Sequence, residues 1–203
     1  MHKSLSYFNE SLKINNSNIS GLGVFTSKKI ERGETICFME GEQISLKELA
    51  YRELKGLIHE GDALQIADEQ YIIMKKIYCC INHSCNPNTF IRGKNELVAL
   101  RDIEIGEEIT YDYSTTMWED TEKIKGMFNE ELWTMTCLCK AENCRKEIKQ
   151  FYELPRLVLK KYQLIGLPDL IADKLKKPHN LLVEKQLPQS LLHIFPILIL
   201  HLL

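Results

Sequence analysis

At 203 residues, 44% of them hydrophobic, the chain suits one domain of ordinary size with an appendage and leaves little room for two full domains. Its formal charge of −2 hides an asymmetry: Arg101 to Glu131 holds ten Asp or Glu against three Lys or Arg, while Lys140 to Lys177 holds ten Lys or Arg against five Asp or Glu. An acidic field over the first segment favours a basic peptide partner and argues against nucleic acid, unless it is simply a solvated face.

In chain order, Leu12 to Ile14, Gly23 to Thr26 and Thr35 to Met39 carry strand-like residues, with Arg32-Gly33-Glu34 as the turn before the last. Ser45-Leu46-Lys47-Glu48 fits a helix-capping box, with Ile44 and Leu49 as its hydrophobic staple, and predicts a helix from Leu46 to His59. Strand patterns return at Ala63 to Ile66, Gln70 to Met74 and Leu97 to Leu100, and Ile105 to Tyr111 reads as a turn at Gly106 followed by a strand. Glu119 to Met135 is expected to be partly helical. Pro155 and Pro168 each stand where a first helical turn begins, so Leu157 to Tyr162 and Asp169 to Lys177 read as two short helices. The last 18 residues, Gln186 to Leu203, carry no Asp, Glu, Lys or Arg, but Pro188, His193, Pro196 and His201 argue against a membrane span; packing of a C-terminal helix is the first reading, with a membrane-surface or dimer contact as the alternative.

No charged and apolar opening of the secretory type begins the chain, so the thiols are expected to be reduced and the protein cytoplasmic, or nuclear in a eukaryotic source or host. Seven cysteines, an odd number with Cys79-Cys80 adjacent and Cys137 two before Cys139, make a poor disulfide framework and a plausible metal set. Cys37, Cys79 and Cys80 read as small buried hydrophobes.

Two blocks of mixed chemistry stand out: Asn82-His83-Ser84-Cys85-Asn86-Pro87-Asn88, and Glu107-Glu108-Ile109-Thr110-Tyr111-Asp112-Tyr113. Together with the glycine segment Ser17 to Phe25 and the Cys137-x-Cys139-x4-Cys144 tail, they resemble the SET-domain protein lysine methyltransferases over about Ile14 to Leu154. The short post-SET segment running into Glu-Leu-Pro is most similar to compact members found in bacteria and some simple eukaryotes. One stretch departs from the family: Tyr71 to Ile81 replaces a longer segment and lacks its Gly-Asn pair, so no cofactor contact is carried over from it.

The resemblance implies a mostly β fold, the β-clip-like SET fold of short strands and small sheets, with a few helices and a short helical C-terminal tail. It divides the chain into a SET domain (10–115), a post-SET zinc segment with a preceding helical insert (116–154) and a helical tail (155–203). In the family the two motif blocks form a knot-like crossing, an exception to the usual rule against threaded chains. The helix after Ser45 lies where the family helps form its substrate groove.

The implied activity is methyl transfer from S-adenosylmethionine to the side-chain amine of a lysine in a histone or other protein. The alternative is a catalytically inactive, zinc-stabilised interaction module on the same scaffold, and transfer to a small molecule or another side chain stays open as well. Tyr113 matches the family tyrosine whose hydroxyl orients the methyl group and the amine, whereas an isolated strand tyrosine more often packs its ring in the core with its hydroxyl on a backbone carbonyl. Tyr111 matches the position that influences how many methyl groups the lysine receives.

Gly21, Leu22 and Gly23 are the implied cofactor turn, Asn82 and His83 the implied cofactor pair, and Leu138 the implied cover of the adenine. Alone, two glycines mark only a turn, and a histidine near Cys85 is as readily a core residue or a metal ligand. The implied zinc ligands are Cys85, Cys137, Cys139 and Cys144, four thiolates suited to a closed tetrahedral site. Lysine, with a pKa of about 10.4, is neutral in only about one of 2,500 molecules near pH 7, so desolvation and alignment, rather than a strong base, are what such a site must supply.

Overall fold

The computed structural model describes residues 10–120, Gly126 and residues 134–176. Within them the protein is a set of small sheets with few helices, as the family resemblance implies. Strands β1 (Leu12–Asn16) and β2 (Leu22–Thr26) form an antiparallel hairpin, closed by Ser17 N donating to Gly21 O at 2.9 Å with Gly21 at φ 48°. Val24 is fully buried at its centre.

β3 (Thr35–Phe38) belongs to a second sheet, and β4 (Gly41–Ser45) to a third. β4 has no apolar alternation, which hid it in the sequence; its register against a later strand is what makes it a strand. Gly41 is required there, because a Cβ would sit 1.8 Å from the Ile73 carbonyl oxygen.

Helix α1 spans Leu46–Leu54, and Ser45 caps it by accepting from Glu48 N at 3.3 Å. The reciprocal half of the predicted box is replaced: the Glu48 carboxylate accepts from Arg52 Nε at 2.7 Å. The helix stops short of His59 because Gly56 takes φ 65°, with Gly56 N donating to Glu53 O and Leu57 N to Arg52 O. Leu46 and Leu49 bury their side chains against Tyr71.

Strands β5 (Ala63–Ala67) and β6 (Gln70–Met74) complete the third sheet in the order β4-β6-β5. The segment that departs from the family pattern then winds one helical turn, α2 (Lys76–Cys79), with Tyr78 buried beneath it. It delivers the chain into β7 (Asn82–His83).

β8 (Thr89–Arg92) and β9 (Glu96–Ala99) pair with β3 in the order β3-β9-β8. β8 was not legible, since the preceding Asn-Pro-Asn reads as loop and only pairing with β9 decides it. β10 (Glu108–Tyr111) lies between β2 and β7, antiparallel to the first and parallel to the second. The two motif blocks thus lie side by side, with Thr110 opposite Asn82 and Tyr111 opposite His83. A one-turn 3-10 helix, Tyr113–Thr116, follows.

Beyond the central core, β11 (Met135–Thr136) and β12 (Glu147–Ile148) bracket the last three cysteines. Helix α3 (Arg156–Ile165) starts after Pro155 and is closed by Gly166 at φ 117°; α4 (Asp169–Lys176) follows Pro168. Phe151, Leu159, Tyr162, Leu170 and Ile171 form a second core with Trp118. The tail is held on the body by Asp169 N donating to Gly93 O at 2.9 Å and by the ion pair of Lys174 with Asp68. The expected helicity between Glu119 and Met135 and the apolar stretch from Gln186 fall largely or wholly outside the described residues. Among the described residues no helix is long and apolar enough to cross a membrane.

Candidate functional site

The parallel pair β7·β10 forces Asn82, His83, Tyr111 and Tyr113 into one neighbourhood, although 30 residues separate His83 from Tyr113. Tyr113 begins the 3-10 helix, half-buried, and its hydroxyl donates to Ile81 O at 2.8 Å. Its ring lies 4.8 Å from that of Tyr111 and 5.4 Å from that of His83. Burial, with the acidic groups of Cys79, Cys80 and Glu108 nearby, holds the Tyr113 phenol well above its ordinary pKa. It therefore stays protonated and cannot serve as a base. Its proton is committed to Ile81, so the lone pairs of its oxygen are what it offers to an incoming N–H group. Tyr111 is 4% exposed, and burial likewise holds its phenol well above the ordinary range.

Gly23, Asn82 and Glu108 form a second cluster at the glycine turn. Asn82 Nδ2 donates to Ser20 O (3.2 Å), Leu22 O (2.9 Å) and Glu108 Oε1 (2.8 Å), which leaves the amide oxygen as its free acceptor face. Ser17 Oγ donates to both carboxylate oxygens of Glu108, at 2.8 and 2.9 Å. A Cβ on Gly23 would stand 2.3 Å from Glu108 Oε1, so only glycine permits this approach. Lys140 Nζ reaches across to Asn18 O at 2.6 Å, tying the cysteine segment to the same turn. Leu22 and Leu138, 44% and 53% exposed, are large apolar side chains on these two segments, available to a partly apolar ligand. The turn, the acceptor on Asn82 and these apolar walls fit a nucleoside carrying an amino-acid chain.

The third cluster joins cysteines from distant parts of the chain. His83, Cys85, Cys137 and Cys139 place one ligand atom each within 4.8 Å of one another, all buried. Cys85 Sγ is 3.7 Å from Cys137 Sγ and 3.3 Å from His83 Nε2. Cys144 packs in the same cluster, its thiol 3.9 Å from Cys137 O and accepting from Lys146 N at 3.4 Å. Burial opposes ionisation of Cys139, but hydrogen bonds from Cys85 N and Ala141 N outweigh it and bring the thiol below its ordinary range. A buried, thiol-rich set of this kind fits zinc.

The His83 side chain has partners of its own. Its ring turns toward the cysteines, with Nδ1 accepting from Tyr113 N at 3.2 Å. Burial, reinforced by Arg145 and opposed by Asp112, lowers its pKa to about 4, so the imidazole is neutral and the free proton sits on Nε2, facing Cys85 Sγ. In this tautomer Nε2 donates toward Cys85 Sγ at 3.3 Å. The group of mutually close ligand atoms is therefore His83, Cys85, Cys137 and Cys139, with Cys144 packed beside it.

Asp112, Arg145 and Tyr162 were not singled out by the sequence. Asp112 is 2% exposed and accepts from Arg145 Nη1 and Nη2 (2.8 and 2.7 Å), Ser114 N (3.1 Å) and Tyr162 Oη (2.6 Å). The available signal was positional: a carboxylate between two motif tyrosines, and an arginine directly after Cys144.

Comparison with known proteins agrees with this geometry. Residues 21–114 match the SET-domain family. The chain is 35% identical over 154 residues to a variant-silencing SET domain-containing protein of Plasmodium falciparum, covering 68% of this chain and 6% of that protein. It is 36% identical over 143 residues to a histone-lysine N-methyltransferase of Schizosaccharomyces pombe described as H3 lysine-4 specific, covering 64% and 14%. A probable histone-lysine N-methyltransferase of Caenorhabditis briggsae is 28% identical over 156 residues, covering 66% and 59%. The chain therefore spans less than two thirds of each of these relatives.

Proposed function

We propose that this chain, whose residues 21–114 are a SET domain, transfers a methyl group from S-adenosylmethionine to the side-chain amine of a lysine in a protein substrate. The observation that carries the reading is the β7·β10 junction, which sets Asn82 of the glycine-turn cluster opposite Thr110 and leads from Tyr111 straight into Tyr113, bonded to Ile81 O just before β7.

In this reading Gly21, Leu22 and Gly23 bring the backbone close to the cofactor, the Asn82 amide oxygen accepts from its ammonium, and Leu138 covers its base. His83 contributes through its backbone, since its ring is engaged with Tyr113 N and Cys85. The cofactor supplies the electrophilic methyl. Tyr113, kept protonated, orients the neutral amine through its oxygen, and burial around Tyr111 and Tyr113 disfavours the ammonium form of the lysine. No side chain has to act as a strong base.

Cys85, Cys137, Cys139 and Cys144 would hold zinc, which cross-links residues 116–154 to the SET domain of residues 10–115. The helices Arg156–Ile165 and Asp169–Lys176 then form a packed tail. The acidic stretch from Arg101 to Glu131 favours a basic, lysine-bearing segment as substrate, in a histone or another protein.

Incubation with radiolabelled S-adenosylmethionine and a whole-cell lysate, followed by identification of labelled lysines, tests the reading, with calorimetry to measure cofactor binding. Label on protein lysine is the expected result. Cofactor bound without any transfer would replace the enzyme by the inactive interaction module.

A further inference from the structure

The helical tail lies outside the residues matched by the family, yet one of its side chains reaches the centre of the site. Tyr162, on α3 and 2% exposed, donates its hydroxyl to Asp112 Oδ2 at 2.6 Å. That carboxylate is the side chain of the one residue between Tyr111 and Tyr113. Its two oxygens are fully subscribed: Oδ1 accepts from Arg145 Nη2 and Ser114 N, and Oδ2 from Arg145 Nη1 and Tyr162.

Asp112 is also the point where β10 turns into the 3-10 helix, with φ −88° and ψ 109°, and it caps that helix through Ser114 N. A rotation of Asp112 would therefore carry the flanking tyrosines with it, and with them the 4.8 Å approach of their rings and the bond from Tyr113 to Ile81 O. Tyr162 itself is fixed by the second core, with its ring 6.3 Å from that of Phe151. The route from tail to site is thus a rigid helix, one short hydrogen bond and one backbone turn.

We infer that Tyr162 is a positioning residue for the transfer: the tail helix holds Asp112, and through it sets the placement of Tyr111 and Tyr113. The inference rests on the methyl-transfer reading for its kinetic consequence and on geometry alone for the coupling. A purely structural tyrosine would contribute to stability and leave turnover unchanged.

Tyr162→Phe in the full chain keeps the ring and removes the hydroxyl. Turnover at saturating substrate should fall about tenfold, the worth of one hydrogen bond to a charged group, with cofactor affinity within about twofold of the parent. Leu159→Ala, in the same core but away from Asp112, is the control: it should lower the melting temperature and leave turnover at assay temperature near the parent's. Equal losses of turnover in both variants, or unchanged turnover in Tyr162→Phe, would overturn the inference. Fluorine spectra of protein labelled with 3-fluorotyrosine separate this from the function itself. The Tyr111 and Tyr113 resonances should move in Tyr162→Phe even without cofactor, and unmoved resonances would also overturn it. A parent protein that methylates nothing would sink the methyl-transfer reading, not the coupling.

Discussion

Tyr113 meets both descriptions that a motif tyrosine can have: its hydroxyl is bonded to a backbone carbonyl, as in any packed tyrosine, and that bond is what aims its lone pairs. Removing the hydroxyl should cost about 1 kcal/mol of stability. The loss of orientation should be larger in its effect on rate, so Tyr113→Phe is expected to lower turnover about a hundredfold while cofactor affinity stays near that of the parent. Circular dichroism, cofactor titration and turnover on one preparation check this. In the proposed reaction the hydroxyl of Tyr111, buried beside it, would hold a water next to the amine in the space a methylated lysine needs to turn. The native protein should yield mainly monomethyl-lysine, and Tyr111→Phe should shift the product toward di- and trimethyl-lysine, read by mass spectrometry of a substrate peptide over time. Both residues were legible as part of a seven-residue block. Glu108 and Asp112 lie in the same block, but their roles depend on Ser17, Arg145 and Tyr162, partners as far as 91 residues away.

Among the elements, α1 was readable because its cap is local: Ser45 and Glu48 are three residues apart, and the hydrogen bond between them needs no tertiary partner. β4 and β8 were not, because each is a strand by virtue of pairing with β6 or β9, which no local pattern encodes. The cysteine segment behaves as an intermediate case. Its spacing announced a metal set, while only the fold brings His83 within 4.8 Å of Cys85, Cys137 and Cys139. About one zinc per chain is expected by elemental analysis, and Cys139→Ser should lose both the metal and cofactor binding, since freeing this segment also frees Lys140 from Asn18 of the glycine turn. Cys144→Ser should lose the metal as well. Retention of zinc in that variant would hand the fourth position to His83.

Across the whole molecule, the Asp112–Arg145 pair joins the SET domain, the cysteine segment and, through Tyr162, the tail, with side chains 1% and 10% exposed. Arg145→Met leaves the carboxylate buried beside only Ser114 N and Tyr162, and should cost about 3–5 kcal/mol in denaturant unfolding. A loss below about 1 kcal/mol would mean that the three parts are held together elsewhere. The sequence by itself carried the resemblance to the SET-domain family, and with it the mostly β fold, because the motif blocks and the cysteine spacing rest on contiguous residue types or short spacings. Only the tertiary structure decided that His83 turns to the cysteines, that Glu108 braces the glycine turn and that the tail touches the site. Those depend on buried polar groups finding partners, and a buried carboxylate accepts whichever donors the fold brings within about 3 Å, wherever they stand in the chain.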